Sequence, residues 1–264
     1  MLKIDLSGKK AVVTASSKGI GKGIATALSI SGAEVLIVSR NIDQLKKTAE
    51  EIMSISENKV FYINADLTSK EDLIRLAEEA KKILGNIDIF VFNTGGPRPG
   101  RFIELEMDDW ERAVQLLIYP AVFLTKAFVE DMKNRGWGRI IYSTSVAIKE
   151  PIEGLVLSNT IRISMAGLVR SLAREYAPHG VTVNGIMPGY IETERIKELA
   201  LEIAKKDGLD VNEVIKNMSK DIPMGRMGRP EELGYLAAFL ASDYAAYING
   251  AMIPIDGGLL RSSL

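Results

Sequence analysis

Residues 10–31 read KAVVTASSKGIGKGIATALSIS, and the rest of the chain is organised around them. The apolar run Ala11-Val12-Val13 meets small, turn-forming residues from Thr14 to Gly21, after which Ile20, Ile24, Ala27 and Leu28 recur at helical spacing. The pattern predicts a strand, a tight turn and a helix. Gly19, Gly21 and Gly23 let backbone N–H groups and the first helical turn approach a bulky anion, which the positive end of the helix dipole favours. Such a turn suits a pyrophosphate. Glycine-rich turns before helices are common, however, so the remaining sequence has to decide between a ligand site and a plain connection.

Outward from this unit, short apolar runs alternate with helical patterns. Strands are predicted at 35–38, 60–63, 88–92, 138–143, 181–187 and 251–255, with helices at about 42–55, 70–84, 107–133, 154–176 and 230–242. Gly85 is placed to cap the second of these helices, and Pro120 predicts a kink or break near Tyr119. Strands separated by amphipathic helices imply parallel pairing through crossovers, hence a doubly wound sheet of seven mostly parallel strands with helices on both faces. No repeat or linker divides residues 1–264, so one domain is expected. Residues 190–222 follow a strand's C-terminal end, are charged and helical in pattern and are split by Gly208, which is where a substrate lid would sit.

Composition narrows the function. The 264 residues carry 33 basic and 34 acidic side chains, so there is no positive excess for a nucleic acid or an acidic membrane, and a small-molecule ligand is expected. Without cysteine there is no disulfide, thiolate nucleophile or cysteine-ligated zinc, and His179 alone cannot build a metal cluster. No metal is expected. The opening MLKIDLSGKK lacks a signal-like apolar core, and no uninterrupted apolar run approaches the ~18 residues of a membrane span, so a cytoplasmic location is expected.

Taken in order, these pieces resemble the short-chain dehydrogenase/reductase family over essentially the whole chain. The similar segments are Thr14 to Gly21, Asp66-Leu67, Asn93-Thr94-Gly95, Ser145, Asn184 to Thr193 with Pro188-Gly189, and Gly228 to Glu232 through Asp256-Gly257-Gly258. The resemblance implies a Rossmann domain holding a nicotinamide dinucleotide at the carboxyl ends of the strands. It also implies a homo-oligomer, dimer or tetramer. Thr14, Ser16, Ser17, Lys18, Gly19, Ile20 and Gly21 would form the cofactor turn, Asp66 and Leu67 would meet adenine, and Asn93, Thr94 and Gly95 would line the groove. Pro188, Gly189, Ile191 and Thr193 would lie at the nicotinamide end, with Thr193 on its amide. After the second strand stand Ser39 and Arg40 rather than an acid, and Lys18 is a second cation in reach. These favour the 2′-phosphate of NADP(H), with NAD(H) as the alternative.

The family's chemistry rests on an asparagine, a serine, and a tyrosine and lysine four residues apart. Ser145 matches the serine, but thirteen residues on stands Ser158, the lysine's place is Arg162, and the asparagine's is Leu117. A serine hydroxyl is a far weaker acid than a phenol of pKa about 10. Arg162 stays cationic at any working pH, so it can bind a ribose hydroxyl or steady an oxyanion but cannot relay a proton. The chain resembles a divergent branch near the β-ketoacyl carrier-protein reductases, marked by NTGGPRPG (93–100) and LVLSN (155–159).

Three readings stay open. One is a carbonyl reductase or alcohol dehydrogenase, including a 3-oxoacyl thioester reductase, with Ser145 and Arg162 polarising the carbonyl and a proton from Tyr190, or from Lys149 or Glu150. The second is a reductase of a conjugated C=C whose enolate Arg162 stabilises. The last is a dinucleotide-binding sensor or assembly protein without turnover. Arg98 and Arg101 flank the groove mouth and could greet an anionic substrate. Leu117 with Ser158 suggests an enlarged apolar cavity.

Overall fold

A computed structural model describes residues 3–262. The chain runs β1 (Lys10–Val13), α1 (Gly19–Ile30), β2 (Glu34–Ser39), α2 (Ile42–Ser56), β3 (Val60–Asn64), α3 (Lys70–Leu84), β4 (Ile89–Phe92) and α4 (Met107–Leu117). It continues through α5 (Tyr119–Arg135), β5 (Gly138–Ser143), α6 (Val156–Tyr176), β6 (Val181–Pro188), α7 (Glu194–Asp207), α8 (Val211–Lys220), α9 (Pro230–Ala241) and β7 (Met252–Ile255). The seven strands form one sheet in the order β3-β2-β1-β4-β5-β6-β7. Every pairing is parallel, where the sequence promised only a mostly parallel sheet. Each strand is reached through at least one helix, so no antiparallel hairpin arises.

Neighbouring strand residues serve opposite faces. Val12, Leu36, Phe90 and Ile140 pack with Leu76, Phe128 and Val169 on one side, whereas Val13, Ile37, Val91 and Ile141 pack with Ile24, Leu45, Leu233 and Leu240 on the other. That period of two, apolar at every step, is why the strands read as continuous hydrophobic runs. Each fully buried leucine or phenylalanine contributes about 1.5–3 kcal/mol of transfer free energy, which makes both helical layers obligatory.

Residues 107–135 are long and apolar enough by length and composition to cross a membrane. They form two helices that meet at Ile118, beside Pro120, and α5 buries Ala121, Leu124, Phe128, Val129 and Met132 against the sheet. The apolar face is thus covered by β4 and its neighbours.

Sheet order reverses at β1, between β2 and β4, and the carboxyl ends there open the crevice expected of a doubly wound fold. Helix α1 leaves that point and crosses α9 backbone to backbone. A Cβ on Gly23 would lie 2.4 Å from the Pro230 carbonyl oxygen, and one on Gly234 would lie 2.4 Å from that of Gly23. The start of α9 is fixed by Glu232, which accepts from the Arg229 backbone N–H at 2.7 Å and from two Arg226 nitrogens at 2.8 and 2.7 Å. Chiefly through Arg226, the Glu232 carboxyl is pulled down to about 2.

Because the folded state lowers this carboxyl from its ordinary 4.5, its contribution is complete above pH ~4.5 and is lost as pH falls towards 2. The group is close to solvent, so the contribution is about 1 kcal/mol. Glu232→Gln is expected to lower stability by that amount at pH 7 and by progressively less below pH 4, as measured by urea denaturation across the acid range.

Candidate active site

The turn between β1 and α1 is held by side chains that bond to main chain. Thr14 Oγ1 donates to the Asn93 carbonyl at 2.7 Å and accepts from the Asn93 N–H at 2.9 Å, while Asn93 Nδ2 donates to the Ala15 carbonyl at 3.1 Å. Ser16 Oγ donates to the Val13 carbonyl at 2.7 Å and accepts from the Val38 N–H at 2.9 Å. The Ser17 carbonyl accepts from Thr48. Thr14, Ser16 and Asn93 therefore shape the turn, and their bonds tie β1 to β2 and β4.

Ala15 sits at φ +46°, a left-handed conformation unusual for a residue with a Cβ. Opposite it, a Cβ on Gly21 would fall 2.3 Å from the Ala15 carbonyl oxygen, so the first turn of α1 lies against the strand end only because residue 21 has none. The helix starts at Lys18 without a side-chain cap and with no acid in its first turn. The N–H groups of that turn face outward as donors, with the positive end of the dipole behind them. Lys18 and Arg40 are both exposed, and neither has an ion-pair partner among the described residues. Ser39 is half-buried at the end of β2.

Further along the crevice, half-buried Asp66 accepts at Oδ1 from the Thr68 N–H and hydroxyl at 2.9 and 2.8 Å, next to buried Leu67. Thr94 is half-buried and Gly95 exposed, with open space where a Cβ would stand. Across the crevice Pro188 ends β6, and the Gly189 N–H donates to the Ile255 carbonyl at 3.1 Å. Ile191 bridges to Gly228, and Thr193 opens α7. A Cβ on Gly19 would meet Thr193 Cγ2 at 3.2 Å, so the start of α7 lies over the glycine turn.

Ser145, Ser158 and Arg162 come from adjoining segments. Ser145 follows β5, is half-buried and accepts from the Ala147 N–H at 3.1 Å. On α6, Ser158 is 8% exposed and Arg162 7%. The Arg162 guanidinium donates to the carbonyls of Thr144 at 3.4 Å and Gly95 at 3.1 Å, clamping the segments after β5 and β4. A buried, permanently charged group is thereby fixed at the carboxyl edge of the sheet.

Two expectations are corrected. Among the described residues the space at Leu117 is filled, not enlarged: Leu117, 1% exposed, packs with Leu105, Ala113, Leu157 and Ile161. Arg98 is already paired to buried Asp109 at 2.6 Å, so it does not stand ready for an anion, and Arg101 meets Glu153 at 2.8 Å in a pair exposed on both sides. Asp109, buried between Arg112 and Arg98, has its carboxyl held below the usual range, first by Arg112. Glu150 accepts from the backbone N–H groups of Arg261 and Ser262, whereas Lys149 is exposed. Tyr190 is half-buried, and burial, with the Asp221 charge behind it, pushes its phenol up. His179 is exposed at the turn after α6.

Sequence reasoning passed over Asn159, whose carboxamide bonds both backbone groups of Ile152 at 3.2 and 2.8 Å. An asparagine in the first turns of a helix, after a loop holding Gly154, was the only available signal.

A family model described as Enoyl-(Acyl carrier protein) reductase matches residues 14–260. The 3-oxoacyl-[acyl-carrier-protein] reductase FabG of Aquifex aeolicus is 33% identical over 258 residues, 98% of this chain and all of that one. Among solved structures, L-sorbose reductase from Gluconobacter frateurii complexed with NADPH and L-sorbose superposes with a TM-score of 0.94 at 30% identity, covering 99% of this chain and 100% of that one. YwfH, an NADPH-dependent reductase involved in bacilysin biosynthesis, gives 0.91 at 29%, covering 97% and 100%.

Removing the Arg162 clamp while keeping its bulk strips two carbonyls of their donors. Arg162→Met is expected to destabilise the fold by about 2–4 kcal/mol, read from the urea midpoint. A variant within about 0.5 kcal/mol of the parent would show that the guanidinium does not hold these segments together.

Proposed function

The chain belongs to the short-chain dehydrogenase/reductase family, and on that premise we propose that it is an NADP(H)-dependent oxidoreductase acting on a small-molecule carbonyl or the corresponding alcohol, with an altered catalytic set. The observation that carries this reading is the uncapped start of α1, closed on one side by the Gly21 approach and flanked by unpaired Lys18 and Arg40. That cradle has no room for a side chain at residue 21, and it fits a diphosphate. The L-sorbose reductase and YwfH comparisons, both described with NADPH, support the choice of phosphate form.

Under this reading the N–H groups of Gly19, Ile20 and Gly21 hold the pyrophosphate, and Lys18, Ser39 and Arg40 take the 2′-phosphate. Asp66 and Leu67 border adenine, Thr94 and Gly95 line the groove, and Pro188, Gly189, Ile191 and Thr193 hold the nicotinamide end. When bound, the dinucleotide supplies or accepts the hydride. Ser145 orients the substrate oxygen by a hydrogen bond, and Arg162 stabilises the negative charge that develops on it. Ser158 and Arg162 stand where the family's tyrosine and lysine belong, so the proton comes from elsewhere. Tyr190, a phenol on the segment between β6 and α7, is assigned that role; burial and the Asp221 charge push its pKa up and make it a weaker acid than a free phenol. Residues 190–222 form the lid over the substrate.

A second reading, reduction of a conjugated C=C, is favoured by the clamped cation. Arg162 offers charge to an enolate without needing an acid beside it.

Isothermal titration is expected to give tighter NADPH than NADH binding. Lys18→Ala and Arg40→Ala should each weaken NADPH by about 10–100-fold, the loss of one charge-assisted bond, and leave NADH unchanged. Tighter NADH binding by the parent would refute the cofactor assignment. In NADPH oxidation against ketones, acyl thioesters and enones, Tyr190→Phe should lower kcat by about 10²-fold. Unchanged kinetics would remove Tyr190 from the mechanism, and binding without turnover by the parent would favour the sensor.

A further inference from the structure

Two sequence motifs, NTGGPRPG at 93–100 and LVLSN at 155–159, have no chemical task in the reading above beyond Thr94, Gly95 and Ser158. The structure joins their far ends. They follow neighbouring strands: β4 leads into the first and β5, through the 144–155 loop, into the second, so both loops rise from the same carboxyl edge. The Gly100 N–H donates to the Gly154 carbonyl at 2.7 Å, and Gly100 and Leu155 form an isolated parallel bridge. Gly154 makes the turn at φ +75°.

Behind that bridge, Asn159 binds the loop as a second strand would. Its Oδ1 accepts from the Ile152 N–H at 3.2 Å and its Nδ2 donates to the Ile152 carbonyl at 2.8 Å, so one side chain satisfies both main-chain groups of one residue. It also projects from the helical turn that carries Ser158, one turn before Arg162. At the other end of the loop, Glu150 is fixed by the backbone N–H groups of Arg261 and Ser262. The loop is thus fastened at residues 150, 152 and 154. Of these fastenings, the one from Asn159 comes from the same helix as Arg162.

We propose that Asn159 is a positioning residue: by fixing Ile152 it holds Gly154 in register with Gly100, and the two loops form a continuous wall that sets the width of the substrate entrance. The guanidinium of Arg162 joins the bases of the same two loops through Thr144 and Gly95, and the Gly100–Gly154 bond joins their tips. Asn159 therefore acts through the loop and touches no reacting atom. Its effect falls on substrate capture rather than on the chemical step. The outer Arg101–Glu153 pair is exposed on both sides and adds little.

The decisive readout is the amide exchange of Gly100, a group that Asn159 does not contact. In the full chain, Asn159→Ala should speed exchange at both Ile152 and Gly100 by about 10-fold or more, with β4 and β5 unchanged. Asn159→Asp keeps the acceptor for the Ile152 N–H and loses the donor, so it should give an intermediate effect and preserves the fold if the alanine variant does not. Resting on the enzyme reading above, KM for a substrate found in the panel should rise about 10-fold with kcat within about twofold. The wall is refuted if Ile152 alone exchanges faster while Gly100 stays protected. Its role in capture is refuted if both amides loosen with KM unchanged. A parent chain that turns over no panel member would sink the enzyme reading and leave Gly100 exchange to decide the wall.

Discussion

The structure depends on one close approach, that of the first turn of α1 to the end of β1. With 2.3 Å between the Ala15 carbonyl and the place a Gly21 Cβ would occupy, the helix can begin directly over the strand. Its free N–H groups then face the crevice, where β2 and β4 part on either side of β1. Much else serves to hold that approach. Ser16 ties the turn to β2, Thr14 and Asn93 tie it to β4, and the Gly23–Gly234 crossing presses α1 against α9 from behind. The left-handed Ala15 is strain carried at this point, and it persists because three strands determine the geometry around it.

Much of the fold was legible because its signals are local. Continuous apolar runs gave the seven strands, helical spacing gave the layers between them, Gly85 and Gly208 marked helix ends, and Pro120 marked the break now seen at Ile118. The features that escaped depend on partners far along the chain. Nothing near Arg98 or Arg101 in sequence announces that Asp109 and Glu153 will meet them. The apparent cavity at Leu117 was a volume argument made without Leu105, from the loop before α4, and Leu157 and Ile161, which α6 brings to it. Asn159 read as one more polar residue on a helix, because its partner Ile152 lies in a loop whose path no periodicity fixes.

The site and its surroundings make one consistent set. Where a lysine would keep a mobile, titrating charge, Arg162 spreads a fixed one over two carbonyls, and its planar fork suits a clamp better than a relay. Where the family resemblance would put an asparagine, Leu117 at the end of α4 closes the space with apolar contacts to Leu105, Ala113, Leu157 and Ile161. Each change alone would leave a defect: a cation without acceptors, or a polar group facing leucines. On the proposed reading, together they make the inner side of the site an apolar and cationic support.

That rigidity decides from which side chemistry can be assisted. On the proposed reading the inner wall supplies charge through Arg162 and orientation through Ser145, and neither can deliver a proton at neutral pH. On that reading, acid assistance has to come from the opposite bank, where the chain after β6 carries Tyr190 within reach of the Asp221 charge. The same bank carries Thr193 over the glycine turn, so a ligand at α1 and the placement of Tyr190 are joined by only three residues of chain. On the proposed reading the cradle and the assigned acid thus belong to one short stretch of chain.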